Sequence, residues 1–184
     1  MQINFLPQFF NTLNSQDIQY SVLRNYQSLP ETTAGSDLDI LVHSTSVGRF
    51  NDLLEGFIEL NNLNLVSIID DKQCPKYCIS NSSWGIQMDV FMGSVHFGKR
   101  ELIRSSILFN NTLNYQGVQV LEPKVGAILS FLKELLNNKS CSKKYIVELQ
   151  NQFKNQEIEV QLLSQFKPQF HKYLNQHLNH LGNN

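Results

Sequence analysis

The sequence predicts a mixed α/β protein of the α+β kind, in which a mixed β-sheet flanked by helices precedes a helical C-terminal part. Short apolar runs with a strand period alternate with amphipathic helical patterns up to about Glu122, whereas the helical period alone recurs after Pro123. The 184 residues are 41% hydrophobic and 17% charged, a balance typical of a globular chain with a buried core. We therefore expect an α/β domain at 1–122 and a helical segment at 123–184.

The individual elements follow from periodicity and from turn residues. Apolar side chains recur every four residues over 3–13 and predict a first helix, and Thr45 or Ser46 is placed to cap a second one. Polar turns at Asn81-Ser82-Ser83 and Gln116-Gly117 predict two hairpins. The predicted strands are 20–23, 37–42, 63–69, 76–79, 84–91, 108–114 and 118–121. The helices predicted after Pro123 are 125–136, 145–153, 162–166 and 170–181.

The charge and the cysteine content of the chain argue against a nucleic-acid polymerase and against a zinc-binding protein. A formal net charge of -1 provides no basic field for a nucleic-acid backbone or an anionic membrane, so nucleic-acid polymerisation is not expected. The three cysteines, Cys74, Cys78 and Cys141, lack the spacing of a zinc site and predict reduced thiols. A signal peptide and an apolar stretch of about 18 residues are both missing. We expect a cytoplasmic protein without a membrane span.

Two carboxylates, Asp37 and Asp39, stand at the head of the apolar run that ends at Val42. Successive side chains of a strand point to opposite faces, so both carboxylates share one face, about 6–7 Å apart at the backbone. Such a pair either holds a divalent metal ion or forms a solvated edge of the strand.

A third carboxylate, Asp89, lies within the otherwise apolar strand 85–91. A charge inside such a strand is unfavourable unless it has a partner or faces a site. If this strand lies beside 37–42, then Asp37, Asp39 and Asp89 together form an oxygen-rich site suited to Mg²⁺, as one ion or two. The alternative is that Asp89 is paired with a lysine.

The order of these features resembles the nucleotidyltransferase superfamily related to DNA polymerase β. Members have a strand, a polar turn, a loop, a D-x-D strand, a helix and a later strand with a single Asp. Their first strand ends in Gly-Ser or Gly-Gly. In this chain Leu23-Arg24-Asn25 takes that place, and the eleven residues 26–36 separate it from Asp37, which fits the family's spacing but not its residue types. The resemblance covers 20–91 and implies a sheet of nucleotidyltransferase type.

A narrower resemblance is carried by three further stretches: Leu23-Arg24-Asn25-Tyr26, Ser36-Asp37-Leu38-Asp39, and the apolar helix 131–136 followed by Lys143-Lys144-Tyr145. In this order they are similar to a bacterial subgroup found among capsule and O-antigen polysaccharide-biosynthesis proteins. This likeness extends the coverage to about Leu149.

The resemblance implies a magnesium-dependent transfer of a nucleoside monophosphate from an NTP to a small-molecule or sugar-containing acceptor, with release of pyrophosphate. Asp37 and Asp39 are implied to bind the ion that contacts the β- and γ-phosphates. Asp89 is implied to complete a second metal site and to orient or deprotonate the acceptor hydroxyl. The three aspartates are thus the expected catalytic and metal-binding residues.

Five further residues are candidates for contact with the nucleotide: Arg24, Asn25, Ser36, Lys143 and Lys144. Replacing Gly-Ser by Arg24-Asn25 removes the close backbone approach to a triphosphate that glycine permits. Arg24 either donates two hydrogen bonds to a phosphate or pairs with an acid of the site. Ser36 either contacts a phosphate or shapes its turn, and the two lysines either reach the triphosphate or are merely solvated.

Two other functions remain open on the sequence alone. The first is a non-catalytic module of the same fold that binds a nucleotide or a protein partner, as antitoxin-like members of the superfamily do. The second is a different phosphate-containing donor, such as a nucleotide-activated sugar or alcohol, handled on the same metal-binding face. The retained acids favour catalysis, whereas Arg24-Asn25 favours divergence.

Overall fold

A computed structural model describes residues 5–97, 100–103, 105–153, 160–171 and 174. These residues form two compact units, of which the first comprises 5–94 and 112–120 and the second comprises the remaining described residues. The predicted mixed α/β class is confirmed, because a seven-stranded mixed sheet is flanked by helices. The domain boundary predicted between 122 and 123 stays a prediction.

The described residues form nine strands, six α-helices and a short 3₁₀ helix at Ser44–Ser46, and residues 168–171 are also helical. The strands are β1 Tyr20–Val22, β2 Leu38–Val42, β3 Asn64–Ile69, β4 Lys76–Ser80, β5 Gly85–Met92, β6 Val95–Phe97, β7 Arg100–Ile103, β8 Thr112–Tyr115 and β9 Val118–Leu121. The helices are α1 Phe5–Ser15, α2 Val47–Leu60, α3 Ser105–Asn110, α4 Pro123–Asn138, α5 Lys143–Phe153 and α6 Val160–Leu163.

The large sheet has the strand order β3-β4-β5-β2-β1-β9-β8. Strands β2 and β5 are parallel neighbours in the centre, and their register sets Leu38 beside Met88 and Asp39 beside Asp89. β4 runs antiparallel to β5, and β1 runs antiparallel to β2. β3 ends the sheet, and its side chains Val66, Ile68 and Ile69 are about half exposed.

The core of the first unit lies between one face of this sheet and helices α1 and α2. Leu38, Ile40 and Val42 of β2 belong to the same buried cluster as Phe9 of α1 and Phe50 of α2. The rings of Phe9 and Phe50 meet edge to face at 6.2 Å. Because side chains alternate along a strand, Asp39 points to the opposite face of the sheet. The packed helices therefore fix the position of the strands that carry the acids.

Most predicted elements of the first unit are confirmed, with ends that shift by a residue or two. Asp37 immediately precedes β2 rather than opening it, and Ser46 stands before α2 without a capping side-chain hydrogen bond. The hairpin around Asn81 is confirmed, and the Asn81 Oδ1 atom accepts hydrogen bonds from the backbone N–H groups of Ser83 and Trp84 at 2.9 and 3.0 Å. Residues 3 and 4 of the first predicted helix lie outside the described residues.

One predicted strand is wrong in its first half, and the second unit contains a hairpin that was not predicted. Residues 105–110 form α3, so the strand predicted at 108–114 begins only at Thr112. Apolar residues at both strand and helix spacing occur there, and such a short run is ambiguous. The unpredicted hairpin is β6 with β7.

The helices predicted after Pro123 are largely confirmed. α4 and α5 are found as predicted, but Phe166 forms an isolated bridge with Ile103 instead of ending a helix. Of the predicted helix 170–181, residues 170, 171 and 174 are helical, and the others lie outside the described residues. None of the helices seen in the described part of the chain combines the length and the apolar character that crossing a membrane requires.

Candidate functional site

The candidate site is a row of charged side chains on the sheet face opposite α1 and α2. Asp39 of β2 and Asp89 of β5 are direct neighbours in the parallel register. The Asp39 side chain is 0% exposed and that of Asp89 is 7% exposed. The two strands thus lie side by side, which is the condition that the sequence prediction set for the site. Two adjacent buried carboxylates are costly unless cations or hydrogen bonds compensate them.

Lys76 continues the row on the third strand. It faces Asp89 in the antiparallel register of β4 and β5, and its ammonium group forms an ion pair with the Asp89 Oδ2 atom. Partial burial alone lowers the pKa of Lys76, but the hydrogen bond and the charge of Asp89 raise it above its ordinary value, with help from Cys74 and Asp39. Asp89 therefore has the lysine partner that the sequence left open as an alternative.

Arg24 closes the other end of the row from the turn after β1. Its Nε atom donates to the Asp39 Oδ2 atom, and the arginine side chain is 24% exposed. The next residue, Asn25, has a φ of 56°, a left-handed conformation that asparagine adopts more readily than most residues. The turn thus has the left-handed conformation that glycine commonly adopts. Of the two roles that the sequence allows for Arg24, the structure shows the pairing with an acid of the site.

Asp37 is exposed and is joined to the row through Gln87. The Gln87 Nε2 atom donates to the Asp37 Oδ2 atom at 3.2 Å and to the Asp89 Oδ1 atom at 3.1 Å. Ser36 is half-buried, and its backbone N–H donates to the carbonyl of Thr33 at 3.0 Å. One amide group therefore holds two of the three carboxylates at a fixed spacing.

The donor chemistry of this face suits a hard divalent cation, because Asp37, Asp39 and Asp89 offer carboxylate oxygens. As arranged, however, the described residues contain no group of three or more acidic, histidine or cysteine side chains that could hold a metal ion. The Oδ2 atoms of Asp39 and Asp89 are engaged by Arg24 and Lys76 instead. A metal ion would fit these donors once it took the place of the basic groups, and the magnesium assignment stays a prediction.

Lys143 and Lys144 belong to the second unit, where they are exposed at the start of α5. The Lys144 ammonium lies 5.4 Å from the centre of the Tyr145 ring. None of the three cysteines forms a disulfide bond, as predicted. The contact of the two lysines with a nucleotide stays a prediction.

A groove of about 730 Å³ between α1 and α2 lies on the other side of the first unit. Its lining includes Arg49, Asp52, Gly56 and Leu60, and none of the predicted site residues is part of it. The Arg49 Nη2 atom donates to the backbone carbonyl of Asp17 at 2.7 Å, so this arginine links α2 to the turn after α1. The groove is separate from the row of acids.

Sequence reasoning missed two residues of the row, Lys76 and Gln87. Both could have been found by counting back and forward from the Asn81 turn, because the hairpin sets Ser80 opposite Gly85 and hence Lys76 opposite Asp89. Gln87 precedes Asp89 by two residues and so shares its face.

Comparisons of the chain with protein-family models, with curated proteins and with solved structures find no match. The geometry therefore defines the class of site. It is a polar row of three carboxylates, two basic groups and one amide on the face of a mixed sheet.

Proposed function

We propose that the chain is a Mg²⁺-dependent nucleotidyltransferase with a sheet of nucleotidyltransferase type. It moves a nucleoside monophosphate from an NTP to a small-molecule or sugar-containing acceptor, and its resemblance to the capsule and O-antigen subgroup suggests surface-polysaccharide biosynthesis as the setting. The supporting observation is that Asp39 and Asp89 are buried side by side on parallel strands. Two adjacent buried carboxylates are unfavourable unless other groups compensate them, and local conflicts of this kind are typical of functional sites.

Each carboxylate has a role in this scheme. Asp37 and Asp39 would hold the Mg²⁺ ion that binds with the triphosphate, and Asp89 would complete a second metal site and orient or deprotonate the acceptor hydroxyl. The acceptor oxygen bonds to the α-phosphorus while the bond to the β-phosphate oxygen breaks, and pyrophosphate leaves. When bound, Mg²⁺ supplies the positive charge that such a phosphoryl transfer needs.

The test is a titration of the protein with each NTP, with and without Mg²⁺, followed by detection of pyrophosphate in the presence of acceptor pools. Asp39→Asn and Asp89→Asn should weaken Mg²⁺-dependent nucleotide binding by at least about tenfold, since each removes a metal-binding charge. Asp52→Asn is the matched control, because Asp52 is exposed on α2 in the layer on the opposite side of the sheet. The proposal fails if no NTP binds and no pyrophosphate forms.

A second function, a non-catalytic module that binds a nucleotide or a protein partner, is favoured by the two ion pairs. Arg24 and Lys76 together supply two positive charges against the three aspartates, which leaves one net negative charge. Both buried carboxylates therefore have a counter-charge without any metal ion, so the fold does not depend on one. Nucleotide binding that is independent of Mg²⁺ and unaffected by Asp89→Asn would favour this function.

A further inference from the structure

Lys76 lies at the solvent side of the row of acids. Its side chain is 31% exposed, whereas the Asp89 carboxylate that it contacts is 7% exposed. Lysine has a compact charge on a flexible four-carbon stem, so its head can leave Asp89 without any movement of the strand. Lys76 is therefore a mobile charge anchored beside a buried carboxylate.

Both oxygens of Asp89 are engaged in the structure. The Oδ1 atom accepts a hydrogen bond from Gln87 at 3.1 Å, and the Oδ2 atom pairs with Lys76. A divalent cation that bound Asp89 through Oδ2 would compete with Lys76 for the same oxygen. Without metal, in contrast, the lysine compensates a carboxylate that would otherwise be buried without a counter-charge.

A displaced lysine would not be far from the substrate. Mg²⁺ bound by one or two carboxylates commonly takes further ligands from the phosphates of its substrate. Those phosphates would then stand next to Asp89, within the range of a stem that is already attached opposite this residue on β4. Lysine is a common phosphate ligand, and it binds phosphate as a point charge.

We propose that Lys76 stands in for the metal ion on Asp89 and, once displaced, binds a phosphate of the triphosphate donor. The inference deepens the proposed function and rests on it. Lys76 should therefore have two opposite effects. It should weaken metal binding when no nucleotide is bound, and it should strengthen nucleotide binding when the metal ion is bound. A residue that only supported the sheet would do neither.

The experiment measures two dissociation constants. One is for Mn²⁺ alone, from the electron paramagnetic resonance signal of the free ion, and the other is for a non-hydrolysable NTP analogue at saturating Mg²⁺, by calorimetry. Lys76→Met should tighten Mn²⁺ binding roughly fivefold, the factor expected for a partly exposed ion pair, and should weaken analogue binding roughly tenfold. Lys72→Met is the matched control, because Lys72 is exposed in the segment before β4; both constants should stay as in the wild type.

Lys76→Arg keeps the charge and provides a second test if the methionine variant does not fold. Arginine pairs more firmly with a carboxylate, so Mn²⁺ binding should weaken by roughly threefold while analogue binding is largely retained. Unchanged constants in both variants would overturn the role of Lys76 and leave the proposed function standing. A wild-type protein that binds neither Mn²⁺ nor the analogue would overturn both.

Discussion

The ion pair between Arg24 and Asp39 should contribute to the stability of the first unit. Removing one partner of a fully buried pair costs about 3–5 kcal/mol, because the other charge stays buried without compensation. Asp39 is fully buried, but the Arg24 side chain is 24% exposed, and solvent therefore offsets part of the loss. We expect Asp39→Asn to lower the free energy of unfolding by about 2 kcal/mol. Relief of repulsion between the acids does not reverse this sign, because the row already contains two cations.

The assay is urea unfolding followed by tryptophan fluorescence. Trp84 is the single tryptophan of the chain and meets the Phe5 ring edge to face at 5.2 Å, so its signal reports on the first unit. With a slope of about 2 kcal/mol per molar urea, the midpoint should fall by about 1 M. Asp37→Asn should change the free energy of unfolding by less than about 0.5 kcal/mol, because Asp37 is exposed.

Two outcomes would contradict this expectation. If Asp39→Asn is as stable as the wild type, the ion pair contributes nothing to folding. If Asp37→Asn is equally destabilising, the loss of stability comes from the change in the total charge of the row and not from the burial of Asp39. Arg24→Met combined with Asp39→Asn should recover part of the loss, and a double-mutant cycle measures that coupling.

Three further predictions concern stability. The hydroxyl of Ser21 is buried and has no hydrogen-bond partner within the described part of the chain. Ser21→Ala should therefore raise the free energy of unfolding by about 1 kcal/mol, and the thermal midpoint with it. A lower midpoint would mean that the hydroxyl has a hydrogen-bond partner. Burial raises the pKa of Tyr20 to about 12, and its hydroxyl donates to Asn14 and accepts from the Gln119 N–H, each at 3.2 Å. Tyr20→Phe should therefore cost about 1–2 kcal/mol in urea unfolding, and an unchanged midpoint would count against both bonds. The raised pKa of Lys76 contributes stability that is fully present below its ordinary value of 10.5 and is lost as pH rises through the raised value. The difference in thermal midpoint between wild type and Lys76→Met should thus be constant from about pH 7 to 9 and shrink only under more alkaline conditions, and a difference that shrinks below pH 9 would contradict this.

Local signals were sufficient to predict most of the first unit from the sequence. The Asn81 turn predicted its hairpin because the side chain of Asn81 closes the turn by itself. The apolar run of β2 predicted a buried strand with Asp39 on the opposite face from Ile40, and burial of Ile40 in the core is confirmed. Where a short apolar run fits two periods, as around Leu108, local signals are insufficient and the tertiary contacts decide.

The site was predictable only in part, because some of its residues have a local signal in the sequence and others do not. Asp39 and Asp89 stood out because a charge in an apolar strand is unusual. Lys76 did not stand out, because an isolated lysine at a strand start is ordinary and its importance depends on a register across two strands. The left-handed turn at Asn25 was also missed, since asparagine adopts that conformation in some turns and not in others.

The last strand of the sheet, β3, has a practical consequence for work with the purified protein. The stretch 64–69 contains no charged residue, and its half-exposed Val66, Ile68 and Ile69 line a strand that pairs with β4 alone in the described sheet. Natural edge strands are commonly blunted by lysine or proline, which discourages pairing with another chain. Ile68→Lys should therefore raise the concentration at which the protein stays dispersed in light scattering, at little cost in stability. Any variant of the acid row is best compared in that background, so that turbidity is not mistaken for unfolding.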